Sequence, residues 1–322
     1  MKAIVQDAYG SADLLELRDI DRPVPRDDEV LVEVRAAGVG PEVWHLMTGR
    51  PHVARVALGL RRPKNPVRGW DGAGRVEAVG AKVTDFKPGD EVFGNCEGSF
   101  AEYACAKAAK IALKPANLTF EQAAALPVSG MTALQALTGK GRPEPGQQVL
   151  VIGASGGVGS YAVQLATMYG AEVTGVCGPT GADFVRSQGA AHVIDYTRED
   201  ITDGPRRYDV IVDNAGLRPL PVLRRALTPR GTLVIVGGEG GTAFFGGLSR
   251  GLRAVLLSPF IGQNLRNLVS VARREDLLTL KDLAEQGRIV PAVDRTYPLA
   301  EAPAAIRHLE KDHPRGKLVV TV

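Results

Sequence analysis

Cysteine is scarce in this 322-residue chain, which holds three: Cys96, Cys105 and Cys177. They lie far apart with no Cys-x-x-Cys, which argues against a disulfide framework and against a thiolate zinc cluster. A charge excess is also missing. The 39 Lys and Arg nearly balance 36 Asp and Glu, for a net charge of +3. The short clusters Arg61-Arg62, Arg206-Arg207 and Arg273-Arg274 are scattered, as on solvated faces, and form no track for nucleic acid. No apolar run approaches the length of a membrane span. The N-terminus alternates like a strand and does not read as a signal peptide. The expectation is a cytoplasmic protein with neither nucleic acid nor membrane as partner. Repeats and low-complexity segments are absent too. The remaining composition, 44% hydrophobic and 23% charged, is that of a soluble globular protein, with length for one to three domains.

Short alternating runs at 3–6, 14–18, 30–36, 74–79, 90–93 and 100–106 predict a β-rich first third, a partly open barrel or sandwich. Gly, Pro and Asp separate them, as in Lys87-Pro88-Gly89-Asp90. Thr119-Phe120-Glu121-Gln122 has the form of a capped helix start, and a longer helix is expected over 130–138. Strands and helices then alternate. Strands are expected at 149–152, 172–176, 192–194, 209–212 and 232–236, and helices at 158–169, 182–188 and 220–227. That alternation predicts an α/β fold, a doubly wound parallel sheet of the Rossmann kind. A further strand is expected at 267–272, helices at 276–286 and 300–309, and strands at 295–298 and 317–322. This tail is too short for a domain and should pack back on the β-rich part. The predicted division is 1–122 completed by 275–322, and 123–274.

Between the first strand and helix of the alternating part stands Gly153-Ala154-Ser155-Gly156-Gly157-Val158-Gly159. Small residues let the backbone turn sharply and approach a pyrophosphate, at which the new helix points its N-terminus. The strand–turn–helix context makes this pattern credible as a dinucleotide site. Backbone N–H groups of Ser155, Gly156, Gly157 and Val158 are candidate phosphate ligands. An NAD site usually carries Asp or Glu about 20 residues on; the second strand here ends in Cys177, Gly178, Pro179 and Thr180. With no carboxylate to repel a 2′-phosphate, NADPH is favoured over NADH, although the absence of Lys or Arg after that strand weakens the preference.

Several further segments resemble one family. They are Gly69-Trp70-Asp71-Gly72-Ala73-Gly74, Lys87-Pro88-Gly89-Asp90-Glu91-Val92, Gly98-Ser99-Phe100-Ala101-Glu102-Tyr103, Leu126-Pro127-Val128-Ser129-Gly130-Met131-Thr132-Ala133, and the closing Gly316-Lys317-Leu318-Val319-Val320. In this order they resemble the zinc-free quinone oxidoreductase branch of the medium-chain dehydrogenase/reductases over nearly the whole chain. The resemblance implies a GroES-like catalytic domain, a Rossmann domain, a cleft between them and commonly a dimer. Zinc relatives need a cysteine near residue 40 and a histidine beside the 69–74 glycines. Here those places hold Gly40 and Trp70, which offer zinc no nitrogen or thiolate, so no metal is expected. Relatives usually carry Asn near 40 and Asp near 43. Gly40 and Val43 stand there instead, which would remove a polar anchor and enlarge the site.

The resemblance also implies roles for single residues, each with a plainer alternative. Thr132 would reach the nicotinamide side, or be a buried helix hydroxyl. Tyr196 would lie beside the adenosine 2′-phosphate, or be a half-exposed aromatic. Asn214, Gly237 and Gly238 follow strands where the family touches cofactor. Phe260 and Gly262 would approach the nicotinamide amide, or only connect elements. Lys317 would contact phosphate, or be a solvated lysine on a strand end. Gly40, Tyr9, Trp44, His45, Trp70, Phe244 and Phe245 are candidates for the substrate cleft, where aromatics suit a flat conjugated acceptor. The glycine-rich stretch 237–251 would serve as a mobile lid. No residue stands out as a general acid or base, so the catalytic group is unassigned.

The expected function is hydride transfer from NADPH to a quinone, enone or enal, without zinc, by positioning and exclusion of water. Three rivals stay open. One is a zinc-independent alcohol dehydrogenase or carbonyl reductase, and another a specialised biosynthetic enoyl reductase or cyclase. The third, of another class, is an NADPH-binding sensor with little turnover.

Overall fold

The computed structural model describes residues 1–237 and 247–322. In chain order its strands are β1 (Lys2–Val5), β2 (Glu16–Asp19), β3 (Glu29–Val39), β4 (Asp71–Val79), β5 (Glu91–Asn95), β6 (Tyr103–Lys107) and β7 (Ile111–Leu113). Then come β8 (Gln148–Ile152), β9 (Glu172–Cys177), β10 (His192–Asp195), β11 (Tyr208–Asp213), β12 (Leu227–Ile235) and β13 (Asn264–Asn267). The last two are β14 (Val293–Pro298) and β15 (Lys317–Thr321). The chain divides into two compact units, Met1–Met131 with Ala272–Val322, and Thr132–Val271.

In the first unit a seven-stranded sheet runs β14-β15-β3-β4-β5-β7, with β6 also on β3; β1 and β2 form a separate antiparallel pair. Strand β3 alternates as a sheet between two environments must. Val30, Val32 and Val34 point into one core with Val76, Val92, Phe100 and Ile111. The C-terminal helix Ala302–Lys311 adds Ala305 and Ile306 to that same core, and β15 adds Leu318 and Val320. This is why the tail belongs to the first unit. Thr119 caps the helix Phe120–Ala124 in a reciprocal capping box with Gln122. That helix packs on β3 and β4, so it stays with the β-rich unit. The boundary falls after Met131, beyond the 122 expected from composition.

The second unit is a six-stranded parallel sheet in the order β10-β9-β8-β11-β12-β13. The order reverses between β8 and β11, and the carboxyl ends of those strands form the crevice where such sheets bind ligands. Its core is built from Leu150, Ile152, Val176, Ile211, Leu233 and Ile235. One strand differs from expectation. The run 267–272 looks like a strand because Leu268, Val269 and Val271 are apolar, but the strand is Asn264–Asn267. The ladder ends at Ile235↔Asn267, where β12 itself stops, and Val269 and Val271 are exposed. Of the glycine-rich stretch 237–251, residues 238–246, with Gly238, Phe244 and Phe245, lie outside the described residues, and its last four residues open the helix Leu248–Leu257.

Candidate dinucleotide site and substrate cavity

At the end of β8 the chain turns through Gly153, whose φ of +76° suits glycine. The N–H groups of Gly153 and Ala154 both donate to the Val176 carbonyl at 3.0 Å, which ties the turn to β9. Gly156 is the N-cap of the helix Gly157–Met168, and no side chain caps it. The N–H groups of the first helical turn therefore keep their capacity for an anion. The glycines have separate duties. A Cβ on Gly159 would sit 2.0 Å from the Gly153 oxygen, so Gly159 lets helix and turn close up. A Cβ on Gly156 would meet only that oxygen, at 3.6 Å, so Gly156 fronts open space.

The other sequence candidates gather at the same carboxyl edge. The Tyr196 hydroxyl lies over Gly178, and Ser155 and Cys177 pack around Gly181. Thr180 and Tyr196 are exposed. Cys177 is only 2% exposed, so its thiol is packing and its carbonyl accepts from Tyr196 N–H; it offers a cofactor no side chain. Asn214 donates from Nδ2 to the Ile152 carbonyl at 3.2 Å, while its Oδ1 is buried without a partner. Gly237 touches the Asn214 carbonyl so closely that a Cβ would lie 1.7 Å from it. Thr132 is buried on the helix Pro127–Ala136. The open cradle at Gly156, the uncapped helix and the orphaned Asn214 oxygen fit a dinucleotide.

Phe260 and Gly262 do not join this edge. They precede β13, and β13 runs parallel to β12, so they lie at the amino end of the sheet, across its width from Gly153 and Asn214. Phe260 is 85% exposed there. Their placement by the cofactor came from the resemblance alone; the residues that follow β13, Leu268 onward, occupy the carboxyl edge. The sequence reading also missed Asp213, the fully buried last residue of β11. It accepts from Arg250 at 2.5 Å and from Gly216 N–H at 3.1 Å. A carboxylate ending the run Asp209-Val210-Ile211-Val212-Asp213 was the available signal.

In the first unit, Lys317 is 3% exposed and pairs with Glu42 at 3.3 Å. It is neither a solvated lysine nor free for a phosphate. Nor does Gly40 enlarge a cleft: a Cβ there would lie within 2.6 Å of the Glu42 carboxylate and Lys317 Nζ, which fill the space. Beside this pair Asp71 is fully buried. Burial, then repulsion from Glu42, pushes its pKa up to about 8, against the pull of Lys317 and the Val128 N–H. Trp44 donates from Nε1 to Glu310 at 2.7 Å and packs against the core, and His45 Nδ1 lies 2.8 Å from the Arg50 carbonyl. Of the expected cleft residues, Tyr9 and Trp70 line a common cavity of about 270 Å³ within this unit, and Gly40, Trp44 and His45 do not.

Residues 26–116 match the family model of the alcohol dehydrogenase GroES-like domain, and 188–320 that of a zinc-binding dehydrogenase. Over 337 residues the chain is 34% identical to an NADPH-dependent alkenal/one oxidoreductase, chloroplastic, of Arabidopsis thaliana, covering 99% of this chain and 79% of that one. The chain belongs to the quinone oxidoreductase-like branch of the medium-chain dehydrogenase/reductases. It is also 32% identical to the chloroplast envelope quinone oxidoreductase homolog of the same plant, over 99% of this chain and 98% of the other. The Escherichia coli quinone oxidoreductase complexed with NADPH superposes with a TM-score of 0.85 at 26% identity, covering all of both chains. Among the described residues no three His, Cys, Asp or Glu side chains gather as a group that could hold a metal ion. No helix among them is long and apolar enough to cross a membrane.

Proposed function

We propose that this protein is an NADPH-dependent reductase that directs hydride to a quinone or to an activated double bond of an enone or enal, without zinc. The open cradle at Gly156 before an uncapped helix carries this reading, in a chain whose relatives include an NADPH-dependent alkenal/one oxidoreductase and a quinone oxidoreductase homolog. NADPH, when bound, supplies the hydride. The chain's residues do the rest. The turn Ser155–Val158 holds the pyrophosphate on backbone N–H groups, and Asn214 Oδ1 accepts from a ribose hydroxyl. Thr180, Tyr196 and Arg198 meet the 2′-phosphate, Arg198 being the nearest cation beyond β10, held 3.7 Å from Asp195. Gly40 and Trp70 give zinc no ligand, so no step is routed through a metal, and the proton comes from water.

The test is oxidation of NADPH and NADH, side by side, over quinones, enones, enals and simple ketones. NADPH oxidation with the conjugated acceptors is expected. Arg198→Ala should raise the KM for NADPH about tenfold, the scale of one charge-assisted contact, and leave the KM for NADH unchanged. Equal use of both cofactors, or tight NADPH binding with no acceptor oxidised, would sink the reading.

The protein is proposed to act as a homodimer. Strand β13 is a sheet edge, and the helix Leu248–Leu257 that packs on it turns Leu252, Val255 and Leu256 outward, 60%, 46% and 62% exposed. An apolar stripe beside an unpaired edge suits a second copy. Sedimentation should show a dimer that Leu256→Asp converts to monomer; a wild-type monomer at high concentration removes the proposal.

A further inference from the structure

The cavity shared by Tyr9 and Trp70 carries an unbalanced charge. Its wall holds two cations, Lys64 and Arg68, against one carboxylate, Glu97. Arg68 is 3% exposed. Its Nη1 donates to the Leu46 carbonyl at 3.0 Å and its Nη2 to the Asn65 carbonyl. Its Nε is buried with no partner. Two of the five donors of the guanidinium are thus occupied, both by neutral carbonyls. Among the described residues no carboxylate comes within ion-pair distance of it; Glu97 acts on it only from farther off. Burying a cation without a counter-ion is costly. Pinning the loop at Leu46 and Asn65 would need only a neutral donor, so a structural duty does not account for the charge.

The cavity is where a counter-ion can arrive. We infer that Arg68 receives a carboxylate of the substrate, so that the preferred acceptors are conjugated carbonyl compounds bearing a carboxylate. The planar fork of a guanidinium matches a carboxylate, and Trp70 and Tyr9 offer flat walls to the conjugated chain. The inference rests on the reductase reading and deepens it. For (E)-4-oxopent-2-enoate, reduction adds a hydride from NADPH to the alkene carbon β to the ketone. The π pair takes a proton from water at the α carbon, giving 4-oxopentanoate, NADP⁺ and hydroxide.

The experiment compares kcat/KM for (E)-4-oxopent-2-enoate with that for the neutral (E)-pent-3-en-2-one, in wild type and in Arg68→Leu. Wild type should favour the carboxylate at least about tenfold after allowance for intrinsic reactivity toward a hydride donor in solution. Arg68→Leu should bring that ratio close to one. A wild-type ratio near one, or a ratio that Arg68→Leu leaves in place, overturns the inference. If wild type reduces neither acceptor, the reductase reading fails separately; calorimetry with 4-oxopentanoate then decides, since binding that Arg68→Leu abolishes upholds the carboxylate site and absent binding overturns it. If Arg68→Leu does not fold, competition in wild type decides: 4-oxopentanoate should bind at least about tenfold more tightly than pentan-2-one, and equal binding overturns the inference.

Discussion

Gly156→Val is expected to fold like the wild type and to lose NADPH. A Cβ at this position meets no protein atom closer than the Gly153 oxygen at 3.6 Å, and the backbone there is at φ −79°, which any residue adopts. The protein therefore tolerates the change, and the space in front of the helix is what it fills. A branched side chain there keeps the pyrophosphate from the N–H groups of the first turn. Fluorescence titration should give a Kd for NADPH raised at least about 100-fold, some 2.7 kcal/mol, with a melting temperature close to wild type. Gly159→Ala should behave in the opposite way. Its Cβ would press on the Gly153 carbonyl at 2.0 Å, and overpacking against backbone costs about 3 kcal/mol, so melting should fall first. If Gly156→Val binds NADPH normally, the phosphate site is elsewhere.

Lys317→Met is expected to destabilise the first unit by about 3–5 kcal/mol, the usual result of removing one partner from a buried charge pair. Glu42 would lose the ammonium 3.3 Å away, and Asp71 the cation that draws its pKa down. The pH dependence has a definite sign. The folded protein holds the Asp71 proton more tightly than the unfolded chain does, because burial and Glu42 raise its pKa to about 8. The associated stability is complete below the ordinary carboxylate pKa and is lost as pH rises to about 8. Without Lys317 the Asp71 pKa rises further, so urea unfolding should show a larger deficit at pH 9 than at pH 6. Asp71→Asn should flatten the decline that runs from the ordinary carboxylate range up to about pH 8. A deficit independent of pH would separate Lys317 from Asp71.

Much of the dinucleotide site was legible because its parts are contiguous. Gly153 to Gly159 form one turn, and the strand before it and the helix after it declare themselves by period. The Thr119 cap was legible for the same reason: a capping box is made within four residues. The strand after them was misplaced because a short apolar run has no mark for where its ladder begins and ends; β13 stops at Asn267, where β12 stops at Ile235. Phe260 and Gly262 had their role from the resemblance alone, and they precede β13, at the amino end of the parallel sheet. Lys317 and Gly40 were misread for a different reason. Lys317 meets Glu42 across 275 residues, and that pair is what fills the space beside Gly40; neither local composition nor spacing records such a meeting.

The residue order alone settled the parallel sheet, the glycine turn and the absence of zinc ligands at residues 40 and 70, since each depends on neighbours along the chain. Packing between distant segments decided the surroundings of Lys317 and Gly40: the Glu42–Lys317 pair occupies the space beside Gly40. A charge acquires its role from what surrounds it after burial, and those surroundings come from segments tens to hundreds of residues apart.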